Sequence, residues 1–287
     1  MAFAVSIGGR VGTPEEVTLK VTDNGFVFGD SAYETLRTYG GRPFELDRHL
    51  ARLRRTIGML GFDLSRSDAE IRAQIDACLE FANNSESYLR LIVSRGVGDM
   101  SYRFERIAEP TIAIYVKPLD LTSEKLYTLG GAAMISTIRR NPIEALNPAM
   151  KVSNLLNNAL STREAYAQGA FEAILLNTRG EVAEGAGSNV FMVKDERLLT
   201  PPLSCGLLAG ITRELTLEIA AHEGVPYEER VLHPLDLQTA DELFITSTLK
   251  ELAPMVTLDG SPVGPGKPGP ITLKLLAAYR KKVGAGP

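Results

Sequence analysis

Pro148-Ala149-Met150-Lys151-Val152-Ser153-Asn154-Leu155-Leu156 sets a lone cation in a largely apolar run, and Lys151 is the only lysine between Lys125 and Lys194. Desolvation or a neighbouring cation turns a lysine into the neutral amine that attacks a carbonyl carbon, the nucleophile of Schiff-base chemistry. The other reading is a stem packed on apolar neighbours with its ammonium in water. Taken alone, the stretch does not choose between them.

Working outward, the region before the lysine carries strand-like alternation at 17–22, 33–39, 88–94 and 111–116, with helical periodicity near 47–60 and 67–81. Strand-like runs at 131–137, 171–176, 188–193 and 242–246 lie around and beyond it, interleaved with helical patterns near 154–168, 211–223 and 270–283. The stretch Lys117-Pro118-Leu119-Asp120-Leu121-Thr122-Ser123-Glu124 divides the two regions and reads as a linker. The expected organisation is a small N-terminal domain over 1–117, a linker over 118–130 and a larger domain over 131–287. The expected fold class is α+β, or mixed α/β, with an α+β first domain and strands interleaved with helices in a mixed sheet in the second. In the first helix Leu50, Leu53, Ile57 and Leu60 form one stripe, with Asp47 placed to cap it. Arg52 falls off that stripe, so periodicity assigns it to solvent.

The composition narrows the partners. With 44% hydrophobic and 23% charged residues in 287, the chain is long enough for one large core or two modest ones. A formal net charge of -4 argues against nucleic acid. No apolar run approaches the roughly 20 residues of a membrane span, and the start MAFAVSIGGR does not read as a secretory signal, so the expectation is a cytoplasmic protein of small-molecule chemistry. Cys78 and Cys205 have no metal-ligand spacing, and His49, His222 and His233 are scattered. All five read as structural residues.

Three further stretches can carry chemistry. Glu181-Val182-Ala183-Glu184-Gly185-Ala186-Gly187-Ser188-Asn189-Val190-Phe191 puts an acid before small residues that let a flat group approach the backbone. It also reads as a glycine-rich loop with a solvated glutamate. Leu208-Ala209-Gly210-Ile211-Thr212-Arg213-Glu214 opens a helix after a glycine, and Thr246-Ser247-Thr248-Leu249-Lys250-Glu251 ends a strand in hydroxyls. Each is a phosphate cradle or an ordinary cap. Finally, period two puts Tyr33, Thr35, Arg37 and Tyr39 on one face of a strand and Tyr88 with Arg90 on one face of another. That face is either a carboxylate pocket or a solvated surface.

Six stretches follow one another along the chain: Phe28-Gly29-Asp30-Ser31-Ala32-Tyr33-Glu34, Arg48-His49-Leu50-Ala51-Arg52-Leu53, Lys151-Val152-Ser153-Asn154-Leu155-Leu156, Glu184-Gly185-Ala186-Gly187-Ser188-Asn189-Val190, Gly210-Ile211-Thr212-Arg213 and Thr248-Leu249-Lys250-Glu251-Leu252-Ala253-Pro254. In this order they resemble the class IV aminotransferases, the fold-type IV pyridoxal 5'-phosphate enzymes. The resemblance implies a two-domain homodimer with a mixed-sheet, pseudo-barrel C-terminal domain. It implies Lys151 as the Schiff-base lysine and proton shuttle, and Glu184 as partner of the pyridine nitrogen. Arg52, Ile211, Thr212 and Thr248 would hold the phosphate, and Tyr33, Arg37, Tyr88, Arg90 and Leu249 would line the substrate pocket. The implied reaction is a ping-pong transamination between an amino acid and an α-keto acid such as 2-oxoglutarate.

Tyr88-Leu89-Arg90 resembles the Tyr-x-Arg strand of branched-chain aminotransferases, and Arg37 matches that subfamily. D-amino-acid transaminases typically carry Arg-x-His in the following loop, where this chain reads Met100-Ser101-Tyr102. Against that, Leu156 stands where branched-chain enzymes usually have tyrosine, so D-amino-acid and (R)-amine readings stay open. Ser94-Arg95-Gly96-Val97-Gly98 resembles the loop of 4-amino-4-deoxychorismate lyases. A non-catalytic relative that binds a phosphorylated ligand is the remaining alternative, and intact Lys151 and Glu184 argue against it.

Overall fold

The computed structural model describes residues 2–103, 109–120 and 124–284. The chain divides into two compact units, Met1–Asp120 with Met150–Asn154, and Leu121–Ala149 with Leu155–Pro287.

In the first unit the described residues form an antiparallel sheet of six strands. These are β1 (Ala4–Ile7), β2 (Arg10–Gly12), β3 (Ser31–Tyr39), β4 (Arg42–Pro43), β5 (Ser87–Ser94) and β6 (Thr111–Pro118), in the order β2-β1-β6-β5-β3-β4. Period two decides the layering. Leu36 of β3 and Leu89, Leu91 and Val93 of β5 are fully buried, and they pack with Leu50, Leu53 and Ile57 of α2 (Leu46–Met59) and Ile71 and Ile75 of α3 (Asp68–Ala82). Each such side chain contributes about 1.5–3 kcal/mol of transfer free energy.

α3 starts at a reciprocal cap: Ser67 accepts from the Glu70 amide while the Glu70 carboxylate accepts from the Ser67 amide. α2 starts differently from expectation. Its cap residue is Glu45 in a left-handed conformation, and Asp47 lies inside the first turn, ion-paired to Arg72. The strand expected at 17–22 is also absent. Val17 donates back to Thr13 and Asp23 to Lys20, and these turns interrupt the extended run that a strand would need. A one-turn helix, α1 (Asn24–Phe28), follows, capped by the Asp23 carboxylate.

The second unit carries a mixed sheet of nine strands among the described residues. They are β7 (Gly131–Ile135), β8 (Glu172–Leu176), β9 (Val182–Gly185), β10 (Asn189–Lys194), β11 (Arg197–Thr200), β12 (Tyr227–Glu229), β13 (Glu242–Ser247), β14 (Glu251–Leu258) and β15 (Ser261–Pro262). The order is β12-β11-β10-β13-β14-β7-β8-β9, with β15 against β14. β7 runs parallel to both β14 and β8, and β10, β13 and β14 pair antiparallel. β10 and β13 are buried along both faces, as their unbroken apolar runs require, and Phe191 stacks on Phe244 at 5.1 Å. Helices α4 (Glu124–Leu129), α5 (Leu156–Ala167), α6 (Ile211–His222), α7 (Pro234–Gln238) and α8 (Pro270–Val283) complete the unit. Glu242 caps α8, accepting from the Ile271 and Thr272 amides at 2.9 and 2.7 Å.

Two boundaries differ from those read off the sequence. Within the expected linker, Leu121, Thr122 and Ser123 lie outside the described residues. α4 then buries Leu126 and Tyr127, and the Tyr127 hydroxyl donates to the Lys250 carbonyl. Hydrophobic burial thus makes that stretch part of the second unit. The lysine stretch goes the other way. Met150–Asn154 belongs to the first unit, because β3 captures it: Tyr33 N donates to Lys151 O and Ser153 N to Ser31 O, each at 2.9 Å.

Candidate active site

Lys151 enters the first unit on an extended segment whose bridge to β3 is centred on Ala32 and Val152. Its amide also donates to the Thr56 hydroxyl of α2 at 3.3 Å. With its amide and carbonyl both bonded, the half-buried side chain runs over the polar face of β3. Lys151 Nζ lies 3.3 Å from the Tyr33 hydroxyl and 4.3 Å from the centre of its ring.

Register decides that face. β3 and β5 pair Thr35 with Arg90 and Arg37 with Tyr88, so Tyr33, Arg37, Tyr88 and Arg90 share one side, opposite Leu36, Leu89 and Leu91. The Arg90 guanidinium stacks on the Tyr33 ring at 4.2 Å, so Tyr33 meets both Arg90 and Lys151. Arg37 is buried, its guanidinium over the Tyr39 ring at 4.0 Å. Two guanidiniums and two phenols on one strand pair supply charge-assisted donors suited to a carboxylate.

Arg52 is not a surface residue. It is buried on α2, where its Nε and Nη2 each donate to a Glu34 oxygen at 2.7 Å. His49, one helical turn earlier, meets the same carboxylate at 2.7 Å through Nδ1. Burial alone would raise the Glu34 carboxyl, but the Arg52 hydrogen bonds and charge, then His49, hold it down at about 2. Burial pushes the His49 imidazole below its ordinary value against the pull of Glu34, and the Arg52 and Lys151 charges add to burial. An ionised Glu34 has no proton to give, so Nδ1 of the neutral ring carries the hydrogen and donates. Its Nε2 is then a bare acceptor, buried without a hydrogen-bond partner among the described residues. His49 has the structural role its scattered position suggested, but it is a polar one.

The second unit holds the remaining candidates. Glu184, next to last in β9, is almost fully buried. One of its oxygens accepts from Arg140 Nε at 2.7 Å and the other from the Leu208 amide at 2.9 Å. Arg140 also binds Asn157 Oδ1 at 3.1 Å, which fixes the plane of its guanidinium. The solvated-glutamate reading therefore fails: a carboxylate this deep needs its cation.

Ile211 and Thr212 occupy the first turn of α6, both buried. The cap residue Gly210 contributes no side-chain hydrogen bond to that turn, so its amides keep the anion-accepting character of an uncapped helix start. Asn189 closes against Gly210, leaving no room there for a Cβ, and donates to the Leu208 carbonyl at 3.0 Å. Opposite Asn189 in the ladder is Thr246, whose buried hydroxyl has no hydrogen-bond partner among the described residues. Thr248 and Leu249, half-buried, form the turn between β13 and β14, so the hydroxyl-rich run ends in a hairpin and not in a helix.

Sequence reasoning missed Glu34, Arg140 and the ion pair of Lys250 with Glu172 at 2.7 Å. Glu34 lay inside a quoted motif without a role, and its place on the apolar face of β3 was the available signal. Nothing in the sequence linked Arg140 to Glu184. Cys78 and Cys205 are both buried, and burial pushes each thiol up to about 11, which leaves them inert.

Comparison with known proteins adds to this geometry. The family model for amino-transferase class IV matches residues 31–258. A putative branched-chain-amino-acid aminotransferase of Methanocaldococcus jannaschii is 35% identical over 96% of this chain and 95% of its own length. A D-alanine aminotransferase of Bacillus licheniformis is 34% identical over 97% and 96%. The crystal structure of the Escherichia coli branched-chain amino acid aminotransferase superposes with a TM-score of 0.92 at 30% identity, covering 100% of this chain and 97% of that one. The match takes in β3, the lysine segment, the Glu184 strand and the β13–β14 hairpin, and on that evidence the chain belongs to the class IV aminotransferases.

Proposed function

We propose that the chain is a pyridoxal 5'-phosphate-dependent transaminase that moves the amino group of a branched-chain or other aliphatic L-amino acid to an α-keto acid such as 2-oxoglutarate. The observation that carries the reading is the cluster of Lys151 Nζ, the Tyr33 phenol and the Arg90 guanidinium on one face of β3 and β5. A nucleophilic amine thus stands beside donors for a carboxylate.

The residues present fit the cofactor. The uncapped start of α6 and the orphaned Thr246 hydroxyl suit a phosphate, and the buried Glu184 suits a protonated ring nitrogen. Ile211, Thr212 and Thr248 would contact the phosphate, with Arg52 as its cation. Pyridoxal phosphate, when bound, supplies the electron sink that stabilises charge left on the substrate's α-carbon. The protein does the rest. Lys151 would hold the cofactor through its Nζ, and that amine is the group placed to move the proton to and from the substrate's α-carbon. Arg90, Arg37, Tyr33 and Tyr88 orient the carboxylate, and Leu249 offers an apolar contact for the side chain.

The aliphatic L-substrate is supported by the Tyr88 and Arg90 strand and by branched-chain aminotransferases among the relatives and solved structures. A D-amino-acid or (R)-amine reading is favoured by Leu156 at the head of α5 and by the D-alanine aminotransferase relative. The lyase reading loses support because Arg95 is engaged elsewhere: it pairs with Asp30 at 2.5 Å and donates to the Leu60 carbonyl just beyond α2 at 2.7 Å. A homodimer in the cytoplasm completes the proposal. Phe26, Met100 and Tyr102 of the first unit are exposed and apolar enough for a second copy to cover, and no helix among the described residues is long and apolar enough to cross a membrane.

The test is a half-reaction. The cofactor-loaded protein is mixed separately with L-leucine, D-alanine and (R)-1-phenylethylamine while absorbance reports conversion to the pyridoxamine form. Fast conversion with L-leucine is expected. Conversion with the D-acid or the amine alone would transfer the assignment to the second reading, and no conversion with any donor would refute both.

A further inference from the structure

Three buried polar side chains meet under β3, and the reaction uses only one of them. Glu34 is fully buried, His49 and Arg52 are nearly so, and no solvent competes for their hydrogen bonds. The guanidinium offers five donors in a rigid plane. Glu34 takes two of them edge-on at 2.7 Å each, which fixes both the position and the tilt of that plane. His49 Nδ1 in turn fixes Glu34, so the carboxylate cannot rotate away.

We propose that Glu34, held by His49, is a positioning residue that pre-sets the Arg52 guanidinium for the cofactor's phosphate. This rests on the reading of Arg52 as the phosphate's cation. Charge and orientation make opposite demands on Glu34. By charge alone a neighbouring carboxylate repels a phosphate, so removing it tightens binding. By orientation, removing it leaves a long, flexible side chain to be ordered at binding, which weakens it. The bidentate geometry and the second tether from His49 favour orientation, because a carboxylate present only to balance charge needs neither.

The experiment compares pyridoxal phosphate with pyridoxal, which forms the same bond to Lys151 but lacks the phosphate. Dissociation constants are measured by fluorescence quenching of the cofactor-free protein, for wild type, Glu34→Gln, Arg52→Lys and Arg52→Ala. Glu34→Gln is expected to weaken pyridoxal phosphate about 3- to 10-fold, the ordering cost of one side chain, and to leave pyridoxal unchanged. A merely structural defect would weaken both ligands alike and overturn the proposal. So would unchanged or tighter phosphate-dependent binding in Glu34→Gln while Arg52→Ala loses its preference for pyridoxal phosphate. If Glu34→Gln does not fold, Arg52→Lys decides, since it keeps the charge but cannot form the two-pronged contact. Full retention of the preference there would overturn the proposal. No effect in Arg52→Ala would remove the phosphate assignment itself, and the proposal with it.

Discussion

Replacing Gly210 by alanine should damage the start of α6 in a way that can be worked out from its neighbours. The backbone there is extended, with φ -76° and ψ 132°, so alanine meets no conformational strain. The cost is collision. A Cβ would overlap Asn189 Oδ1 outright and lie 3.1 Å from its Cγ and 3.4 Å from Arg213 Cβ. Asn189 is buried and bonded to the Leu208 carbonyl, so it cannot swing clear without giving up that bond. Overpacking of this kind costs about 1–3 kcal/mol and a lost buried hydrogen bond about 1 more, which gives roughly 2–4 kcal/mol in all. Urea unfolding of the cofactor-free protein measures it. Adding Asn189→Ala makes the space, so the double variant should be less destabilised than the sum of the singles. A Gly210→Ala protein within about 0.5 kcal/mol of wild type, or strict additivity in the double variant, would refute the reasoning.

Lys151→Ala should lose all detectable transamination yet unfold at the wild-type denaturant midpoint, because the backbone bonds to β3 survive; residual turnover at wild-type rates would remove Lys151 from the mechanism. Acid should weaken the first unit in two stages. His49 has a folded value below its ordinary one, so stability falls as pH drops below about 6.5, where the unfolded histidine takes a proton that the folded one refuses. Glu34, held at about 2, contributes stability above the usual carboxylate range that is lost as pH falls from about 4.5 towards 2, on the order of 3 kcal/mol. Unfolding free energies from pH 7 to pH 3 should show this slope, and Glu34→Gln should flatten the lower part.

Much of the fold was readable because it follows from local repetition. The alternation in β3 and β5 placed Tyr33, Arg37, Tyr88 and Arg90 on one face, and the register agrees residue by residue. The stripe of Leu50, Leu53 and Ile57 located α2 to within a residue or two. The same logic put Arg52 in solvent, since a periodicity count sees only apolar side chains and takes every charge off the stripe as exposed. Arg52 is buried because Glu34, eighteen residues away on β3, supplies the compensating carboxylate. Likewise Glu184 read as a loop acid because Arg140 comes from 44 residues away.

The sequence by itself determined the five longer helices, seven of the strands and the candidate groups Lys151, Glu184 and Arg52, since these depend on periods of two and 3.6 residues and on short motifs. Only the tertiary structure decided where the charges pair and which unit the lysine joins. The cost of burying an ion depends on what lies a few ångströms away in space, and the lysine segment follows whichever strand satisfies its backbone, here β3.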